Sequence, residues 1–234
     1  MQRNLYFDAL RGIAIMMVVA IHTFYACEFE SWLSICAISM REIFNMAVPL
    51  FLAISGFFIG RMVFEDKRQV FAFWKKQIPK VYIPVLFWSI PYFVLAILEG
   101  QSILENVLLF FFCGYSIYYF IALIVQCYLL LPVIQKKMLN FATGGVILCI
   151  CVALISYTSI TKLPLIVFAG PVIVWLIFFW LGVYISRNSR DYNIRWILIG
   201  VIISFVLMVI ETKFRHEATG GGYGIKPSSF VFSL

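Results

Sequence analysis

The sequence predicts an all-α fold, a polytopic transmembrane helix bundle of about seven complete spans and the start of an eighth, and three observations carry that prediction. Hydrophobic residues make up 63% of the 234 and charged ones only 12%, against about 25% charged in an average soluble chain. The mean hydropathy is +0.99. The remaining charges fall in clusters between apolar runs of roughly the 20 residues that a helix needs to cross a bilayer core of about 30 Å. Composition of this kind excludes a soluble globular domain, a disordered chain and collagen. The formal charge of +7 is explained by membrane topology before nucleic acid, and no nucleic-acid partner is expected.

Cutting at the charge clusters places the spans at 10–25, 43–60, 81–98, 117–134, 144–160, 163–185 and 196–210. The first is not a cleavable signal, because Asp8 stands at its entrance, Arg11 and His22 lie within it, and no small-residue cleavage site follows. The run 107–113, between Glu105 and Gly114, is too short to cross and reads as an interfacial or re-entrant helix. Residues 227–234 read as the first turns of an eighth span, so the chain is expected to be a fragment that ends inside that span. Gly220, Gly221, Gly222 and Gly224 predict a flexible loop. With no repeat and no linker, one membrane domain over 1–234 is the economical reading.

Orientation follows from the cations. With the N-terminus inside, the inner segments hold Arg3, then Arg61, Lys67, Arg68, Lys75, Lys76 and Lys80, then Lys136 and Lys137, then Arg187, Arg190 and Arg195, which is twelve of the 18. The outer segments hold five: Arg41, Lys162, Lys213, Arg215 and Lys226. That asymmetry predicts a multi-pass inner-membrane protein with a cytoplasmic N-terminus and a cytoplasmic 61–80 loop.

Six cysteines most simply fill apolar space, since Cys113, Cys127, Cys149 and Cys151 sit in hydrophobic runs. Only Cys27 and Cys36, in the first polar connection, are placed to pair. Cys149 and Cys151 have no further ligand at zinc spacing, and no metal is expected.

A charged group within a span costs about 2.5 to 3.5 kcal/mol on insertion scales and is a functional hypothesis by default. The first span has the densest set. Arg11 and His22 are eleven residues apart, which at about 100° per residue returns to within about 20° of the same face. Asp8, three residues before Arg11, can pair with it. His22 would lie about 16 Å deeper than Arg11, with a buried, neutral imidazole able to accept a proton. Packing against a neighbouring helix for His22, and snorkelling to the headgroups for Arg11, are the plain alternatives. Lys76 and Lys80 lead into the third span and suit either a phosphate-bearing ligand or anionic lipid.

Taken together these motifs resemble the integral-membrane acyltransferase family 3. The resemblance rests on Asp8, Arg11, Gly12 and His22 in the first span, on Phe51 followed by Ser55-Gly56-Phe57 in the second, and on Lys80, Val81 and Pro84 opening the third. It continues through Tyr118 to Ile124 with Gln126, Tyr128 and Pro132, and through Phe179 to Gly182. Gln77 and Lys80 stand where the family has two arginines, and Tyr118 begins a segment in which the family often has a tryptophan.

The resemblance implies an acyltransferase that moves an acyl group, acetyl above all, from an acyl-CoA donor to a hydroxyl of a cell-surface or lipid-linked glycan acceptor. Its catalytic set would be His22, Arg11 and Asp8, with His22 as general base or as a transient acyl carrier. Arg11, Lys76, Lys80 and Tyr82 would bind the nucleotide end of the donor, and Ser55 and Gly56 would allow close helix approach. A polysaccharide exporter or other transporter is the rival class, and a membrane-binding module without turnover is the third.

Overall fold

The computed structural model describes residues 5–23, 32–115, 118–161, 171–188, 193–219 and 226–234. The expectations for Cys27, Lys162, Arg190 and the loop at 220–224 lie outside them. Among the described residues there is helix and no strand, as the sequence predicts.

In chain order the helices are α1 (Leu5–Thr23), α2 (Trp32–Phe44), α3 (Ala47–Gly60), α4 (Lys67–Leu98), α5 (Ile103–Phe111), α6 (Tyr119–Lys137), α7 (Phe141–Thr161), α8 (Leu176–Arg187), α9 (Ile194–Thr219) and α10 (Pro227–Phe232). Among the described residues, five helical stretches are long and apolar enough to cross a membrane: Leu5–Thr23, Ser39–Gly60, Lys67–Leu98, Tyr119–Lys137 and Ile194–Phe214. The expected fifth span, 144–160, lies within the 21 residues of α7, and the sixth appears as the shorter apolar helix Leu176–Arg187. A 3-10 turn, Val172–Val174, precedes α8, and the first part of the expected span 163–185 lies outside the described residues. The expected eighth span is represented by the six residues of α10.

The centre of the bundle is α8, buried at every residue from Leu176 to Trp180. It lies directly against α3. A methyl group built on Gly56 would strike the Phe179 carbonyl, and one on Gly182 would strike the Ala53 carbonyl. Only glycine permits that approach, the usual device where lipid removes the hydrophobic drive between helices. Around this pair pack Leu52, Leu123, Leu131, Ile134, Cys151 and Ile155 from α3, α6 and α7.

The third expected span, 81–98, is the second half of a longer helix. α4 starts at Lys67, where the Asp66 side chain accepts a bond from the Gln69 amide at 2.8 Å and the Gln69 side chain accepts one from the Glu65 amide at 3.1 Å, a variant of the capping box. It runs on through Pro79, Pro84 and Pro91. Proline is tolerated in such helices because neighbours satisfy the freed carbonyls. At about 1.5 Å per residue α4 is longer than a bilayer core is thick, so its basic first turns are left for the interface. Those turns are anchored: Trp74 Nε1 donates to the Tyr128 carbonyl at 2.9 Å, and Phe73 packs on Tyr128 with ring centres 5.7 Å apart.

Candidate functional site

The polar stripe of the first span stands on an unbroken helix. Arg11 meets Asp8 at 3.6 Å, and its guanidinium lies over the Phe58 ring, 4.5 Å from the centroid, a contact that ring quadrupoles favour. Phe7 stacks on Phe57 with centroids 4.7 Å apart and meets Phe58 edge-on at 5.0 Å. Arg61 also lies over the Phe57 ring, 4.7 Å from its centroid. The start of α1 is therefore held to the end of α3 by rings and guanidinium groups, and the two helices run in opposite directions.

His22 departs from expectation. It is exposed, in the last turn of α1, and has no hydrogen-bond partner among the described residues. The reason is that α1 sits on the flank of the described bundle, with Ala14 its one buried residue. The buried, helix-packed imidazole expected from the sequence is not what these residues form. The shared face of Arg11 and His22 stands, since nothing interrupts the helix between them.

Of the expected nucleotide-binding set, Tyr82 is turned away from Lys76 and Lys80. Lys76 and Lys80 are exposed and share one side of α4. Tyr82, two residues after Lys80, is turned about 200° from it. Its hydroxyl donates to the Phe111 carbonyl at 2.6 Å, and its ring lines an apolar cavity of about 680 Å³ with Ile78, Phe112, Cys113, Tyr119 and Gln126. The turn after α5 forms one wall, as befits a helix too short to cross. Burial pushes the Cys113 thiol up to about 11, which disfavours the thiolate. Gln126, part of the sixth helix's family pattern, accepts a bond from the Val172 amide at 3.0 Å and so fixes the turn leading into α8.

Three arrangements escaped the sequence. The open carbonyls at the end of α3 are taken by Arg187, whose Nε donates to Gly60 at 2.7 Å and whose Nη2 donates to Met62 at 2.8 Å, and by Gln135, whose amide reaches Met62 at 2.8 Å. Beside them lies a second cavity, about 490 Å³. Finally, Glu42 and Lys226 form a buried ion pair at 3.0 Å, signalled in the sequence only by an acid one residue from an apolar run. Among the described residues no group of three His, Cys, Asp or Glu side chains is placed to hold a metal.

Comparison with known proteins decides the family. The family model described as an acyltransferase domain matches residues 4–212. The chain belongs to acyltransferase family 3. This member of acyltransferase family 3 is also similar to the serine/alanine racemase of Enterococcus gallinarum, 28% identical over 92% of this chain and 34% of that protein. It is 29% identical to an amino-acid racemase of Enterococcus faecalis, over 91% of this chain and 33% of that protein. It thus spans about a third of the length of these curated relatives. No solved structure matches it. The apolar helices and the family together make it a multi-pass membrane protein.

Proposed function

We propose that this chain carries the acyl-transfer unit of a membrane acyltransferase, which moves an acyl group, acetyl in the simplest case, from acyl-CoA to a hydroxyl of a cell-surface or lipid-linked glycan. The observation that supports it best is the α1 stripe: the Asp8–Arg11 pair seated on Phe58, with His22 on the same face about 16 Å further along the helix. In this reading the His22 imidazole takes the proton from the acceptor hydroxyl as its oxygen attacks the thioester carbonyl. The C–S bond breaks, and the departing thiolate is reprotonated. Such a base contributes about 10²- to 10⁴-fold. Arg11, held by Asp8, faces the anionic donor, and Lys76 and Lys80 add positive charge at the cytoplasmic interface. Tyr82 stands on the other side of α4 from these lysines, with its hydroxyl on the Phe111 carbonyl and its ring in the wall of the apolar cavity.

The test is labelled acetyl-CoA supplied to membranes that contain the full-length protein, with the labelled product identified. His22→Ala is expected to abolish the product and Arg11→Ala to raise the KM for the donor. Near-normal product from a well-folded His22→Ala protein would remove His22 from the mechanism.

A further inference from the structure

The cavity beside the end of α3 brings together three cations from three separate helices. Lys67 opens α4, Lys136 lies in the last turn of α6, and Arg187 ends α8. Phe64, Val70 and Pro132 form its apolar wall. Two carboxylates, Glu65 and Asp66, share the lining, yet none of the three cations lies in an ion pair with a carboxylate among the described residues. Asp66 is committed to the Gln69 amide as the cap of α4. Arg187 spends two of its five N–H donors on the Gly60 and Met62 carbonyls. That fixes the plane of the guanidinium and leaves donors over, which is the preorganised fork suited to phosphate oxygens. The amino end of α4 adds positive potential at the position of Lys67, where a helix dipole disfavours a cation and favours an anion. The volume of about 490 Å³ lies in the range of small-molecule sites, about 300–1,000 Å³.

Lys76 and Lys80 line neither of the two cavities described. Packed rings lead from the cleft to α6: Phe64 on its wall meets Phe73 at 5.3 Å, and Phe73 meets Tyr128 at 5.7 Å.

We propose that this cleft is a phosphate-ester seat, in which Lys67, Lys136 and Arg187 hold the phosphorylated nucleotide end of the coenzyme A donor. The proposal rests on the acyl-transfer reading for the identity of its ligand. A phosphate ester could also come from an anionic lipid headgroup, so the experiment separates the two sources.

The probes are coenzyme A and adenosine 3′,5′-bisphosphate, titrated into full-length protein in nanodiscs of phosphatidylcholine and, in a second arm, of phosphatidylcholine with phosphatidylglycerol. Arg187 stays in place because it also closes α3. The Lys67→Ala, Lys136→Ala double variant is expected to bind both probes about tenfold more weakly. Replacing the same two residues with arginine should restore binding, and Lys75→Ala, on an exposed lysine outside the cleft, should change affinity by less than about twofold. Equal affinity of the double alanine variant, absence of binding to the unaltered protein, or complete displacement of both probes by phosphatidylglycerol would each overturn the seat. Binding lost in the double variant without acyl transfer by the unaltered protein would keep the seat and remove the acyl-transfer reading. Transfer with an unchanged donor KM in the double variant would do the reverse.

Discussion

The Glu42 carboxylate meets the Lys226 ammonium at 3.0 Å with both side chains withdrawn from the surface, 0% and 2% exposed. Ser229 completes the site by donating to the other carboxylate oxygen at 2.6 Å. Through these contacts α10, only six residues long, is held to the helix that leads into α3. Its first turn is further tied by the Ser228 amide, which donates to Glu211 at 3.0 Å.

Removing one partner of a buried pair strands the other charge, so Glu42→Ala is expected to destabilise the protein by about 3 to 5 kcal/mol. A Glu42→Met, Lys226→Met double variant should recover most of that loss. Thermal unfolding of the purified protein in detergent checks both. A single variant as stable as the parent would mean that the ammonium finds another partner.

The α3–α8 contact predicts a contrast between glycines. Gly56→Ala places a methyl against the Phe179 carbonyl and should cost about 1 to 3 kcal/mol through forced separation of the helices. At Gly145, where a methyl meets nothing within 4 Å, alanine should instead stabilise α7 by about 0.5 to 1 kcal/mol. Melting temperatures that fall for both, or for neither, would argue against the close packing of α3 on α8.

Arg187 and Gln135 share the end of α3, and losing bonds from a charged donor costs about 1.5 to 3 kcal/mol. Arg187→Ala should therefore loosen the 60–66 segment, read as faster amide hydrogen exchange at Arg61 to Val63, while Arg187→Lys restores only part of the protection because one ammonium lacks the planar fork. Unchanged exchange in Arg187→Ala would show that Gln135 suffices alone.

The cation asymmetry predicts that the 61–80 connection is cytoplasmic and that 211–226 lies outside. With Cys36 and Cys149, both exposed, replaced by serine, a cysteine introduced at Glu65 should resist an impermeant maleimide in intact cells and react in inverted vesicles. Labelling from outside the cell would reverse the orientation.

The sequence by itself determined the helical class, the membrane setting and the family, because each depends on local quantities: hydropathy summed over a span, charge at its ends, and the spacing of Asp8, Arg11 and His22 on one helix. It also determined that the run at 107–113 is too short to cross, and α5 with its following turn packs against α4 accordingly. Which face of each helix is buried was left to the tertiary structure. In a bilayer the lipid-facing and protein-facing sides are both apolar, so the periodicity that marks a core face in water is nearly absent here. That is why the exposure of His22 could not be read from residue order. The cleft of Lys67, Lys136 and Arg187 and the Glu42–Lys226 pair are long-range meetings of groups that look like ordinary flanking charges one segment at a time. Only the packing of α3 on α8, fixed by Gly56 and Gly182, brings the cleft together.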